Sequence, residues 1–178
     1  SSDVCSSDLK DGYATWSPAT NEIAFVSSRS GNGDVYVVDL KSKEVSQLST
    51  SKQIDIFPEW FPNGNRLVYS SGDALNHDLY VVERGRRHEA WSKPVALTDW
   101  QHDDLRPTVS PDGRYVAFYA DDVKGEGECG SWNVLVVPFL SGRTYRAEDL
   151  AGMVVAKDVA IDLNTGPAWS PEIGRAHV

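Results

Sequence analysis

Apolar and polar residues alternate along this chain in short runs, and the runs come in pairs. Glu22-Ile23-Ala24-Phe25-Val26-Ser27 is followed by Asp34-Val35-Tyr36-Val37-Val38-Asp39. Arg66-Leu67-Val68-Tyr69-Ser70 is followed by Asp78-Leu79-Tyr80-Val81-Val82-Glu83. Arg114-Tyr115-Val116-Ala117-Phe118-Tyr119 precedes Asn133-Val134-Leu135-Val136-Val137. Each run is β-branched or aromatic and is bounded by Gly, Pro, Asn or Asp, the pattern of strands joined by tight turns. No segment carries the 3.6-residue apolar stripe of a helix.

The pairs repeat in a common frame. Each follows a turn, at Trp16-Ser17-Pro18, Trp60-Phe61-Pro62 and Val109-Ser110-Pro111, and Trp169-Ser170-Pro171 opens another. Gln47-Leu48-Ser49-Thr50 and Val95-Ala96-Leu97-Thr98 close the first two units. Strand-rich units repeating every ~40 to 60 residues indicate stacked four-stranded blades. The expected fold is therefore all-β: a partial β-propeller of antiparallel blades at about residues 12–50, 55–98 and 104–150, with a fourth starting at 162–171.

Within a unit the turn proline cannot donate to a ladder and belongs just beyond a strand. Pro111-Asp112-Gly113 and Pro62-Asn63-Gly64 are full turn signals, whereas Pro18-Ala19-Thr20-Asn21 reads as a weaker turn with one more residue. The Trp before the turn is expected to fill the wedge between blades, with Val109 as a smaller filler. Upstream, Asp55-Ile56-Phe57-Pro58 and Asp104-Leu105-Arg106-Pro107 align, and Asp162 begins a longer version. These aspartates are expected to accept backbone hydrogen bonds where the chain enters the innermost strand. The acidic, Gly-rich connection from Asp121 to Ser131, and the long stretch from Arg143 to Asn164, depart from the repeat.

The two ends change the count of natural residues. Asp3 to Leu9 and Glu172 to Val178 can be encoded by opposite strands of one DNA segment that resembles a sequencing-library adapter. Residues 1–9 and 172–178 are thus expected to be adapter-derived tails flanking a fragment at 10–171. Setting Cys5 aside leaves Cys129 alone, so no disulfide framework can be argued.

A formal net charge of -9 argues against a nucleic-acid or anionic-membrane surface. The basic run Arg84-Gly85-Arg86-Arg87-His88 is expected to be a solvated hairpin tip. With 40% hydrophobic and 24% charged residues, the composition is that of a globular domain without membrane insertion.

Catalytic motifs find little support. Gly125-Glu126-Gly127-Glu128-Cys129-Gly130 matches a dinucleotide-binding string, but a strand-like run follows it where a helix is required. No Gly-x-Ser-x-Gly elbow occurs, and His88-Glu89 lacks the second His of a zinc-protease helix. No catalytic or metal-ligating residues are assigned, which points away from an enzyme. If the strands run from inner to outer along each blade, one face carries Arg29, Asp55, His77, His102, Asp103, Asp104, Asp121 and Asp122. Such a mouth suits a peptide segment or a sugar, and its carboxylates suit calcium as the one candidate cofactor.

The Trp-Ser-Pro turns, the Ile-Ala-Phe-Val-Ser strand, the loop Ser28-Arg29-Ser30-Gly31-Asn32-Gly33-Asp34, Val-Tyr-Val-Val-Asp and the closing Leu-Thr together resemble the WD-repeat-like β-propeller repeats of TolB and its relatives. The resemblance covers nearly all of residues 12–171. It implies a non-catalytic scaffold for a protein or peptide partner, located in the periplasm or otherwise exported. Similar repeats precede prolyl-oligopeptidase-type hydrolase domains, so a substrate-gating propeller whose catalytic domain lies outside the chain is an alternative. A metal-dependent carbohydrate- or lactone-active propeller is a third.

Overall fold

The computed structural model describes residues 11–73, 76–121, 132–159, 161 and 165–170. The Gly-rich string at 125–130, Cys129, Asp162 and both terminal tails lie outside the described residues.

Among the described residues three four-stranded antiparallel sheets form, each in simple meander order from its first strand outward. The first contains β1 (Asp11–Trp16), β2 (Glu22–Ser27), β3 (Asp34–Asp39) and β4 (Val45–Gln47). The second contains β5 (Ile54–Trp60), β6 (Arg66–Asp73), β7 (Asn76–Glu83) and β8 (Val95–Ala96). Next come β9 (Thr98–Asp99), β10 (Asp104–Val109), β11 (Tyr115–Asp121), β12 (Trp132–Pro138), β13 (Tyr145–Arg146), the single-turn helix α1 (Ala147–Leu150) and β14 (Val154–Val159). The third sheet has the order β10-β11-β12-β14, so the third unit runs to Val159, past the boundary near 150 expected from the repeat. The segment before β14 is diverted: Tyr145 and Arg146 pair in parallel with Thr98 and Asp99, which ties the third unit to the closing strand of the second.

The turns into the second strands are equal in length, in contrast to the extra residue expected in the first. Ser17, Phe61 and Ser110 donate their amides to the carbonyls of Glu22, Arg66 and Tyr115, five residues on in each case, at 2.9, 3.0 and 2.9 Å. Gly64 and Gly113 take left-handed backbone, at φ 68° and 71°. The first turn lacks a Gly, and Thr20 closes it by donating its amide to Ser17 Oγ at 3.2 Å.

Each innermost strand is interrupted at one repeat position. Pairing shifts register between Gly12 and Thr15, between Ile56 and Glu59, and between Leu105 and Thr108. Tyr13, Phe57 and Arg106 occupy the bulges with φ of 52°, 56° and 56°. Pro58 and Pro107 follow two of them; a residue without an N–H cannot continue the ladder, so the strand bulges there. Positive φ on a side chain with a Cβ carries strain, which surrounding packing must offset.

The core lies between sheets. Ala24, Val35, Val37 and Leu48 of the first unit pack with Trp60, Leu67, Tyr69 and Val82 of the second. Val68, Leu79, Val81 and Phe61 face the other way, against Val116, Phe118, Leu135, Val137 and Tyr145. The middle sheet is thus buried on both faces. Trp60 is 3% exposed and its Nε1 donates to the Thr15 carbonyl at 3.2 Å. Trp169 repeats the bond to the Thr108 carbonyl at 3.3 Å. Trp16, expected to be buried likewise, is 66% exposed, because among the described residues no sheet packs on that side of the first blade.

The basic run is a solvated tip only in part: Gly85, Arg86 and His88 are exposed, but its other two arginines are not. Arg84 is buried and holds Glu22 with two bonds, Nη1 to Oε1 at 3.0 Å and Nη2 to Oε2 at 2.6 Å, while its guanidinium stacks 4.4 Å from the Trp91 ring. Arg87 pairs with Asp39 at 2.6 Å. Both arginines join the second unit to the first.

Candidate functional site

Where the first and second blades close, a hydroxyl organises two carboxylates. The Val35 amide donates to Ser49 Oγ at 2.8 Å, and the Leu79 amide donates to Thr98 Oγ1 at 2.9 Å, one unit later. Ser49 Oγ in turn donates to Asp34 at 3.3 Å, and the Trp100 amide donates to Asp78 at 3.2 Å. Asp55 and Asp104, both 0% exposed, sit below. Ser51 Oγ reaches both oxygens of Asp55 at 3.1 Å, and Trp100 Nε1 donates to Asp104 at 2.8 Å. The donors are side chains rather than the backbone amides expected. Burial pushes the Asp55 carboxyl up against the hydroxyls that hold it ionised. Burial drives Asp104 well above the ordinary carboxylate range, opposed by Thr98 and Trp100 and reinforced by Asp78 and Asp121. These two aspartates brace the blade junctions rather than reaching solvent.

Four other candidates come together at the junction of the second and third sheets. His77 Nδ1 lies 2.8 Å from Asp103 Oδ1, which also accepts the His77 amide at 2.9 Å. His102 Nδ1 lies 2.9 Å from Asp121 Oδ1, and the Asp103 amide donates to that same oxygen at 3.1 Å. The His102 ring stands edge-on to Trp100 with centroids 4.9 Å apart. A carboxylate accepts only, so each Nδ1 carries the proton of its bond. Burial raises the Asp121 carboxyl, opposed by His102 and the Asp103 amide. Among the described residues no three His, Cys, Asp or Glu side chains gather as a metal ion would require.

Arg29 does not join them. Its Nε donates to Ser27 Oγ at 2.8 Å, its Nη2 lies 3.5 Å from Asp11, and its guanidinium stacks on Tyr36 at 4.9 Å, all within the first unit. Asp122 lies outside the described residues.

A second feature, absent from the sequence expectations, follows from the bulges. Innermost strands of neighbouring sheets lie side by side, so their bulged residues meet. The Tyr13 and Phe57 rings are edge to face at 4.6 Å, and the Arg106 guanidinium lies 3.9 Å from the Phe57 centroid and 5.1 Å from that of Tyr13. They bound a cavity of about 360 Å³ whose wall also includes Thr15, Glu59, Thr108 and Gly166. Burial pushes the Glu59 carboxyl up to about 7 against one opposing hydrogen bond, from Thr15 Oγ1 at 3.3 Å. The signal in the sequence was the residue before each proline in Asp55-Ile56-Phe57-Pro58 and Asp104-Leu105-Arg106-Pro107; the first copy, Asp11-Gly12-Tyr13-Ala14, lacks the proline and so escapes the pattern.

Known structures share this architecture. TolB from Acinetobacter baumannii superposes with a TM-score of 0.58 at 20% identity, over 75% of this chain and 31% of that one. A TolB-type protein from Agrobacterium tumefaciens gives 0.56 at 20% identity, over 69% of this chain and 43% of that one. The chain therefore spans well under half the length of either. No curated protein matches its sequence. The model of the TolB beta propeller domain matches residues 3–133, beginning inside the segment that resembles adapter sequence and ending in the third blade. With most of its length matched in this way, the chain belongs to the TolB beta propeller domain family.

Proposed function

We propose that this chain is part of a non-catalytic scaffold that holds a peptide segment of a protein partner at the axial cavity, in an exported, periplasmic setting. The observation that supports this reading most is the convergence of three innermost strands, each presenting its bulged side chain, Tyr13, Phe57 or Arg106, to one cavity. Rings and a guanidinium supply large contact area with few rotatable bonds, a composition suited to peptide recognition. The His77–Asp103 and His102–Asp121 pairs add a rigid polar rim where the second and third blades meet. No observation among the described residues favours the peptidase-gating or the lactone-active alternative.

Selection of random linear peptides on the immobilised full chain tests the reading. Enriched peptides are expected to lose binding to Phe57→Ala and Arg106→Ala proteins and to keep it for Arg29→Ala. Peptides indifferent to both cavity substitutions would contradict it.

A further inference from the structure

We propose that the axial cavity is a site for a cationic group, a guanidinium or ammonium carried by the bound peptide, with Glu59 as its counter-ion. The proposal rests on the peptide-scaffold reading and adds the chemistry of what is held.

Glu59 breaks the repeat. Counted from the aligned Asp11, Asp55 and Asp104, its position is filled by Thr15 in the first unit and Thr108 in the third. A threonine suffices for the fold there, since the Thr15 and Thr108 carbonyls each accept a Trp indole. The second unit replaces it with a carboxylate in the wall of the cavity. The side-chain bond that Glu59 has is the Thr15 hydroxyl at 3.3 Å, and among the described residues no cation stands within ion-pair distance. Glu59 is half-buried, and a carboxylate partly withdrawn from water without a counter-ion recovers that cost by taking up a proton or a cation.

The charged and titratable groups facing it are Tyr13 from β1 and Arg106 from β10. Arg106 is the obvious candidate to neutralise Glu59, but its guanidinium lies on the Phe57 and Tyr13 rings instead. That stacking shows that the cavity wall accepts a flat cation, through the negative face of its rings. A net charge of -9 also favours the approach of a positive group.

The test uses the full chain, labelled with ¹³C, and three neutral-capped tripeptides, Gly-Arg-Gly, Gly-Gln-Gly and Gly-Glu-Gly. NMR follows the Glu59 carboxyl through a pH titration, alone and with each peptide. The free carboxyl is expected to titrate near 7, and its midpoint is expected to fall with the arginine peptide only. By linkage, affinity for that peptide falls roughly tenfold for each pH unit between the midpoint of the free carboxyl and that of the bound state, and levels off below the latter. Glu59→Gln, which keeps the shape and the Thr15 contact, is expected to weaken the arginine peptide and leave the glutamine peptide unchanged. Glu59 titrating in the ordinary carboxylate range in the free chain would show that Arg106 already neutralises it, and would overturn the proposal. Equal binding of all three peptides would overturn the cation preference while leaving the scaffold reading intact; binding of none would overturn both.

Discussion

Trp16 and Trp60 occupy the same place in two copies of one repeat, yet one is 66% exposed and the other 3%. Nothing local separates them: both end an innermost strand, and both precede a turn closed by an amide-to-carbonyl bond across five residues. The difference is the neighbour. Trp60 lies against Ala24, Val35 and Leu48 of the first sheet, whereas the corresponding side of the first sheet has no described partner. A blade therefore encodes half of each of its interfaces, and its stability depends on which halves are met, as in other repeat proteins.

The largest effects should separate the met interface from the unmet one. Trp60→Ala is expected to cost about 3 to 5 kcal/mol in urea unfolding, and Trp16→Ala under about 0.5 kcal/mol. Similar costs would show that the first blade's flank is covered in solution. The Glu22–Arg84 pair makes the same contrast in charge. Arg84→Ala strands a buried carboxylate and should cost about 3 to 5 kcal/mol. Removing Arg66, whose bond to Glu83 at 2.9 Å is solvent-accessible, should cost about 0 to 1 kcal/mol.

The cavity wall sharpens the comparison through pH. Burial raises Glu59 from an ordinary 4.5 to about 7, and Asp78 from 3.8 to about 6. For a raised carboxyl the folded state binds protons that the unfolded state has released, so its contribution is complete below the unfolded value and is lost as pH climbs through the folded one. Stability should therefore decline between about pH 4.5 and 7, with Glu59 contributing up to about 3 kcal/mol of the decline. Glu59→Thr, which restores the residue of the other two units, is expected to flatten that part of the curve and to raise the urea midpoint at neutral pH. An unchanged slope would place the carboxyl in water. The smallest contrast concerns turns. Gly142, at φ 77° with open space around it, should cost about 1 kcal/mol on change to Ala, from backbone strain alone. Gly64, at φ 68° and with a new Cβ only 3.1 Å from Ala19, Ser17 and Thr20, should cost more than Gly142.

Strands, turns and their order are legible in the sequence because they depend on neighbours in the chain: a period of two, and Gly or Pro at fixed offsets. What escapes is set by residues far apart. Arg84 reads as part of a solvated run because its partner, Glu22, lies in another unit. Trp16 reads as buried because its sequence matches Trp60, although burial belongs to the pair of sheets. The outer strand at Val154–Val159 is hidden by the excursion through β13 and α1, which carries no repeat signature. Of the candidate site, His77, His102, Asp103 and Asp121 come together because they flank the entrances of adjacent blades, a placement the repeat order dictates. The cavity residues were less visible: Tyr13, Phe57 and Arg106 differ in chemistry and share only a backbone conformation.

Hydrogen exchange at the indole N–H groups tests the central claim, that a turn tryptophan is protected only where a preceding blade is there to seat it. Trp60 and Trp169, whose Nε1 atoms donate to the Thr15 and Thr108 carbonyls, are expected to exchange slowly, and Trp16 at the rate of a free indole. Equal exchange at Trp16 and Trp60 would contradict the account.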